Sequence, residues 1–222
     1  MMFKYDHLTD CRIDKRDAEW AYDREVSWRP DTFELRTIKL SPSSGWRVWV
    51  LSDHYEHDPV SGQPSRTYVG NLTYEAKYLA SRPAMEELQR VMSDAVVHLR
   101  GFPPRKEGLS SVTSVAAVPC NPPKPLSVPH ELAAAVAQAL GVADVSKSVV
   151  KVRETTAAKT STGLHSDCYK VHLNLQGETV LLVDDLIRTG ATLESVAINL
   201  RKAGCEHVVG ICATSARKGM NS

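Results

Sequence analysis

Residues 180–192 read VLLVDDLIRTGAT and carry the densest chemistry in the chain. The apolar run from Val180 to Val183 describes a strand buried on both faces, as in a parallel sheet. Two acids, Asp184 and Asp185, stand where that strand is expected to emerge. Arg188, Thr189, Gly190, Ala191 and Thr192 form a short turn into a helical pattern with Leu193, Val196, Ala197 and Leu200 on one face. A helix N-terminus at a strand's carboxyl end offers free N–H groups and a favourable dipole to an anion. Gly190 allows positive φ and close backbone approach, and Thr189 and Thr192 offer hydroxyl donors. Carboxylates beside such an anion cradle repel phosphate, so Asp184 and Asp185 are expected to face ribose hydroxyls or a metal ion. The local chemistry is that of a grip on a ribose 5-phosphate.

The elements that position this motif follow from periodicity and turn residues. Residues 112–118 form an apolar strand ending at Pro119, and 129–140 a helix with Leu132, Ala133, Val136 and Leu140 inward. Strands are expected at 148–152, 171–175, 180–183 and 207–213, with a threonine-rich irregular stretch over 153–168 and a helix over 192–203. This alternation predicts an α/β fold with a parallel, doubly wound sheet. Before it, residues 33–40, 46–53 and 66–74 read as strands of a small antiparallel unit, and 83–99 as an amphipathic helix closed by Gly101 and Pro103. Residues 102–108 read as a linker, so the expected division is a small α+β extension over 1–104 and a core over 105–222.

Charge is balanced, with 27 basic and 26 acidic residues, so no global field recruits nucleic acid or membrane. No apolar run approaches the ~20 residues that span a bilayer, and the first residues lack a signal-peptide layout. Cys11, Cys120, Cys168, Cys205 and Cys212 are scattered without a CxxC pair, which points to a reducing cytoplasm. His54 and His57 among Asp53, Glu56 and Asp58 could mimic a metal site, and read more simply as a charged loop. Trp46 and Trp49 lie three apart in a strand, on opposite faces, one for the core and one for a partner or base.

The order of residues 180–192 resembles the 5-phosphoribosyl-1-pyrophosphate (PRPP) binding motif of the type I phosphoribosyltransferases. That motif has four hydrophobic residues, two acids, two hydrophobics and a Thr/Gly-rich phosphate loop. One position departs: Arg188 stands where a small or hydroxyl residue is usual, and either reinforces phosphate binding or points into solvent. The resemblance implies the fold of that family. It also implies that Asp184 and Asp185 orient the ribose hydroxyls, directly or through Mg²⁺, and that residues 188–192 anchor the 5-phosphate.

It further implies a pyrophosphate loop over residues 118–124, VPCNPPK, with Cys120 contributing backbone and Asn121 and Lys124 contacts. The prolines there remove N–H donors, and a rigid proline turn is the alternative. Residues 151–159, KVRETTAAK, are similar to the catalytic loop that closes over PRPP and excludes water. Arg153 and Lys159 would then neutralise the departing pyrophosphate, the alternative being a solvated loop with incidental cations. The layout of residues 112–217 is also similar to the orphan competence protein F family, without that family's amino-terminal zinc-binding cysteines.

The activity implied is displacement of pyrophosphate from C1 of PRPP by a nitrogenous acceptor, with Mg²⁺ as cofactor. The other readings are a silent module sensing PRPP or a 5'-phosphorylated ribonucleotide, and an accessory protein in DNA uptake or a mobile-element or defence system. Residues 1–104 are expected to supply the hood over the acceptor or a surface for a partner protein or nucleic acid. A homodimer is the expected assembly, and no membrane partner is expected.

Overall fold

The computed structural model describes residues 35–40, 46–57, 61–101, 109–120, 127–153 and 166–216. Its central sheet has six strands in the order β1-β2-β10-β9-β5-β6. These are β1 (Arg36–Lys39), β2 (Arg47–Asp53), β5 (Ser114–Ala117), β6 (Ala143–Asp144), β9 (Thr179–Ile187) and β10 (His207–Ser215). All neighbouring pairs are parallel except β1 with β2, which closes one edge antiparallel. The α/β fold with a mainly parallel sheet is therefore the architecture observed.

Alternation along β9 divides the core into two layers. Leu181 and Val183 pack with the helices α1 (Tyr68–Tyr78), α2 (Arg82–Arg100) and α3 (Val128–Leu140) on one face. Val180 and Leu182 pack with α4 (Ala191–Lys202) and the hairpin of β7 (Val149–Lys151) and β8 (Tyr169–Val171) on the other. Each fully buried leucine of this strand contributes about 1.5–3 kcal/mol by leaving water. The first layer joins Leu51, Leu72 and Leu88 to Val115, Leu132 and Ile211, so both sides of residue 105 share one core. Among the described residues no helix is long and apolar enough to cross a membrane.

Several expectations need correction. Residues 66–74 are not a strand: β4 (Pro64–Arg66), paired with β3 (Tyr55–His57), is followed at once by α1. The Tyr, Val and Thr of this segment imitate a strand by type. Their burial, Val69, Leu72, Thr73 and Ala76, follows helical spacing instead. Thr67 starts the helix, accepting the Gly70 N–H at 3.0 Å and donating its hydroxyl to the Asp53 carbonyl at 2.6 Å. The strands expected at 148–152 and 171–175 do not enter the parallel sheet; β7 and β8 pair antiparallel with each other beside α4. Their three-residue lengths give periodicity too little to work with. Residues 36–53 also join the main sheet, because β2 lies parallel against β10.

Candidate functional site

Contrary to the expected exit at Val183, β9 continues through both acids to Ile187, with Cys212 opposite Asp184 and Ser215 opposite Ile187. The two carboxylates stay within reach of each other, since the Asp185 side chain acts on Asp184 both as a charge and through a hydrogen bond. Asp184 is 9% exposed and Asp185 2%. Asp184 accepts the Asp185 N–H on Oδ1 at 2.9 Å. Burial, then the charge of Asp185, pushes the Asp184 carboxyl well above the usual carboxylate range, against the opposing pull of Lys77.

Lys77, on α1, is the counter-ion. Its Nζ donates to Asp185 Oδ1 at 2.9 Å and lies 2.6 Å from Oδ2, which meets the ammonium as charge and receives no hydrogen bond. Burial pushes the ammonium down, but the charge and hydrogen bond of Asp185 more than offset it, so its pKa is raised. Once 66–74 read as a strand, nothing in the sequence linked Lys77 to an acid 108 positions away.

The turn from β9 into α4 has the backbone geometry that its residues predict. Gly190, at φ 86° and ψ −5°, caps α4 without a side-chain bond, and Thr189 Oγ1 accepts the Ala191 N–H at 3.3 Å. A Cβ on Gly190 would lie 2.6 Å from Leu40 Cδ2, so the loop backbone rests directly on that leucine. Ala191 and Thr192 open the helix, and Arg188 is exposed. The Thr192 hydroxyl bonds with Tyr169, a buried tyrosine of β8. Burial, aided by the charge of Asp184, pushes the Tyr169 phenol up to about 12, which keeps it neutral. Tyr169 was also missed, falling between the irregular stretch over 153–168 and the strand expected at 171–175.

His54, between β2 and β3, is buried with Nδ1 3.2 Å from Thr214 Oγ1, which in turn donates to the Asp185 carbonyl. His57 is exposed in β3, so the two histidines of the charged loop diverge. Asp58 lies outside the described residues. Among those described, no group of three or more His, Cys, Asp or Glu could hold a metal ion. A divalent cation bound directly by the acid pair fits poorly, because Asp185 is already matched by Lys77 and one Asp184 oxygen by a backbone N–H.

Cys120 reaches the site: the charges of Asp185, Asp184 and Lys77 all act on it, and burial pushes its thiol up. Its Sγ lies 3.0 Å from Ser127 Oγ, itself 2.7 Å from His130 Nδ1, a chain that bridges the two ends of the loop. Asn121 and Lys124 lie outside the described residues. Arg153 pairs with Asp167 at 3.1 Å, both well exposed, where the hairpin ends, and Lys159 is outside the described residues. Trp46 and Trp49 do face opposite layers, but both pack, Trp49 buried and Trp46 donating Nε1–H to the Val208 carbonyl at 3.0 Å.

Three imidazoles share one consequence. His54, His98 and His130 are each held below the ordinary value of 6.5, in every case first by burial. Arg66, Arg188 and Lys77 add to the depression at His54, while Asp185 opposes it. Unfolded imidazoles protonate near 6.5, so their contribution to stability is whole above about pH 6.5 and is lost as pH falls through the folded values. The thermal midpoint should drop between about pH 7 and about pH 5; a flat midpoint would contradict the burial of these rings.

The fold places an acid pair and a helix N-terminus at the carboxyl end of a central parallel strand in an α/β sheet, the end where open α/β sheets take their ligands. Residues 130–220 match the family model of the phosphoribosyl transferase domain. No curated protein matches the chain. Among solved structures it is similar to adenine phosphoribosyltransferase from Saccharomyces cerevisiae, at 17% identity over 73% of this chain and 82% of that one, TM-score 0.42. The Trypanosoma brucei adenine enzyme shows 15% identity over 82% of this chain and 86% of its own, TM-score 0.45. A Staphylococcus aureus hypoxanthine phosphoribosyltransferase shows 14% over 62% and 70%, TM-score 0.36. These likenesses are distant, and the site's chemistry rests on its own residues.

Proposed function

We propose that this chain is a member of the type I phosphoribosyltransferase superfamily. In this reading it binds PRPP and transfers the phosphoribosyl group to a nitrogenous acceptor, releasing pyrophosphate. The observation that carries this reading is the junction of β9 with α4: an acid pair, then Gly190 in the left-handed region, then the N-terminus of α4. Amides and hydroxyls of residues 189–192 take the 5-phosphate, with Arg188 adding charge at the rim. Asp184 and Asp185 take the ribose hydroxyls and favour the positive charge that develops at C1. The backbone at Cys120, with Asn121 and Lys124, takes the pyrophosphate, and Arg153 and Lys159 neutralise it as it leaves. Mg²⁺ is assigned to the oxygens of PRPP rather than to a protein ligand.

The hood over the acceptor is assigned to those parts of residues 1–104 that lie outside β1, β2, α1 and α2. The finer placement in the competence protein F-like branch, a cytoplasmic location and a homodimer belong to the same proposal. A second reading, PRPP or nucleotide sensing without turnover, draws on Lys77, which holds Asp185 in a closed ion pair.

The test is pyrophosphate release from PRPP with a panel of nitrogenous bases, run beside PRPP binding to Asp184→Asn and Asp185→Asn. Release with at least one base is expected, and each variant should bind PRPP roughly 10–100-fold more weakly through lost charge-assisted hydrogen bonds. Binding without release selects the sensing reading. Unchanged affinity in both variants removes the acids from the site.

A further inference from the structure

We propose that Lys77 is the built-in counter-cation of the ribose site, supplying at Asp185 the charge for which a divalent cation would otherwise be needed. The inference rests on the ribose-phosphate reading above and adds that binding at the sugar end needs no metal.

Two consecutive carboxylates this deeply placed, with side-chain exposure of 3% at Asp185, are strongly unfavourable unless matched. Lys77 matches one of them with contacts to both oxygens. Its backbone is held on the last turn of α1, the helix end that favours a cation. The start of α1 is fixed as well: Thr67 ties it to the Asp53 carbonyl, and Gly70 sits against the His54 carbonyl so closely that a Cβ would meet that oxygen at 2.3 Å. The ammonium is therefore delivered by a packed element, not by a long side chain that happened to fold over an acid. At 28% side-chain exposure, Lys77 approaches from the solvent edge, where an incoming sugar hydroxyl can share its partner. With Lys77 the charge of Asp185 is already answered when a phosphate arrives; without it that charge stands uncompensated, and an added cation must then cancel it. A lysine that served only as a structural staple would affect stability without making ligand affinity depend on metal.

The test is calorimetric titration of the full chain with ribose 5-phosphate, in EDTA and again in excess Mg²⁺, for wild type, Lys77→Gln and Lys77→Arg. Wild type should bind with affinities within about 3-fold of each other in the two conditions, and Lys77→Arg, which keeps the positive charge, should show the same independence of Mg²⁺. Lys77→Gln should bind about 10–100-fold more weakly in EDTA and recover most of that in Mg²⁺. A wild type that needs Mg²⁺, a Lys77→Gln protein unaffected in EDTA, or a loss that Mg²⁺ does not restore would each overturn the inference and leave the ribose-phosphate site standing. Absence of wild-type binding in both conditions would remove the site itself. Should Lys77→Gln fail to fold, as a thermal melt will show, the wild-type and Lys77→Arg titrations still decide.

Discussion

Gly70→Ala should destabilise the protein by about 2–4 kcal/mol, despite placing a better helix former inside α1. Helix propensity alone favours alanine by roughly 1 kcal/mol. Against that, the new Cβ would stand 2.3 Å from the His54 carbonyl oxygen and 3.0 Å from its carbon. Both are backbone atoms, so no rotamer change relieves the contact, and helix and strand end must separate. The His54 segment is held in turn by its N–H bond to the Ser215 carbonyl at 2.7 Å and by the Thr214 contact. The displacement therefore reaches Lys77 and, through it, Asp185. For a chain of this size the thermal midpoint should fall by roughly 5–15 °C, with ribose 5-phosphate affinity falling as well. A midpoint equal to or above wild type would mean that α1 does not pack against His54 as described.

Gly190→Val should act the other way round, with a modest loss of stability and a large loss of ligand. A valine at φ 86° is strained by about 1–3 kcal/mol. Its Cβ would meet Leu40 Cδ2 at 2.6 Å, but that atom ends a flexible side chain that can turn aside. The loop relaxes by changing its own dihedrals, which turns the N–H groups at the start of α4 away from their present directions. PRPP or ribose 5-phosphate should bind roughly 100-fold more weakly or worse, since anion recognition by backbone amides depends on their alignment. Calorimetric affinity beside a melting curve separates the two effects. Full affinity in a folded variant would remove the loop from the phosphate site.

Much of the fold could be read directly from the chain because its strongest signals are local. The apolar run of β9, the stripe of α2 and the glycine after α3 each describe a short segment by themselves, and all three elements are present. The loop at 188–190 was legible for the same reason: a positive φ is a property of one residue, and Gly190 adopts it. Residues 66–74 failed as a local reading because tyrosine, valine and threonine favour strands by type. The buried face of α1 is decided by what lies beneath it, Leu51 and Leu88 in the same layer.

The amino-acid sequence by itself thus determined a parallel α/β core and a strand–acid–acid–loop–helix motif, because hydrophobic period, turn residues and backbone freedom are encoded in neighbouring positions. Only the tertiary structure decided that both acids are buried within β9, that Lys77 answers one of them, and that Tyr169 stands against Thr192. Those partners come from segments far apart in the chain. Charge and hydrogen bonding act through space, so no spacing along the sequence could have announced them.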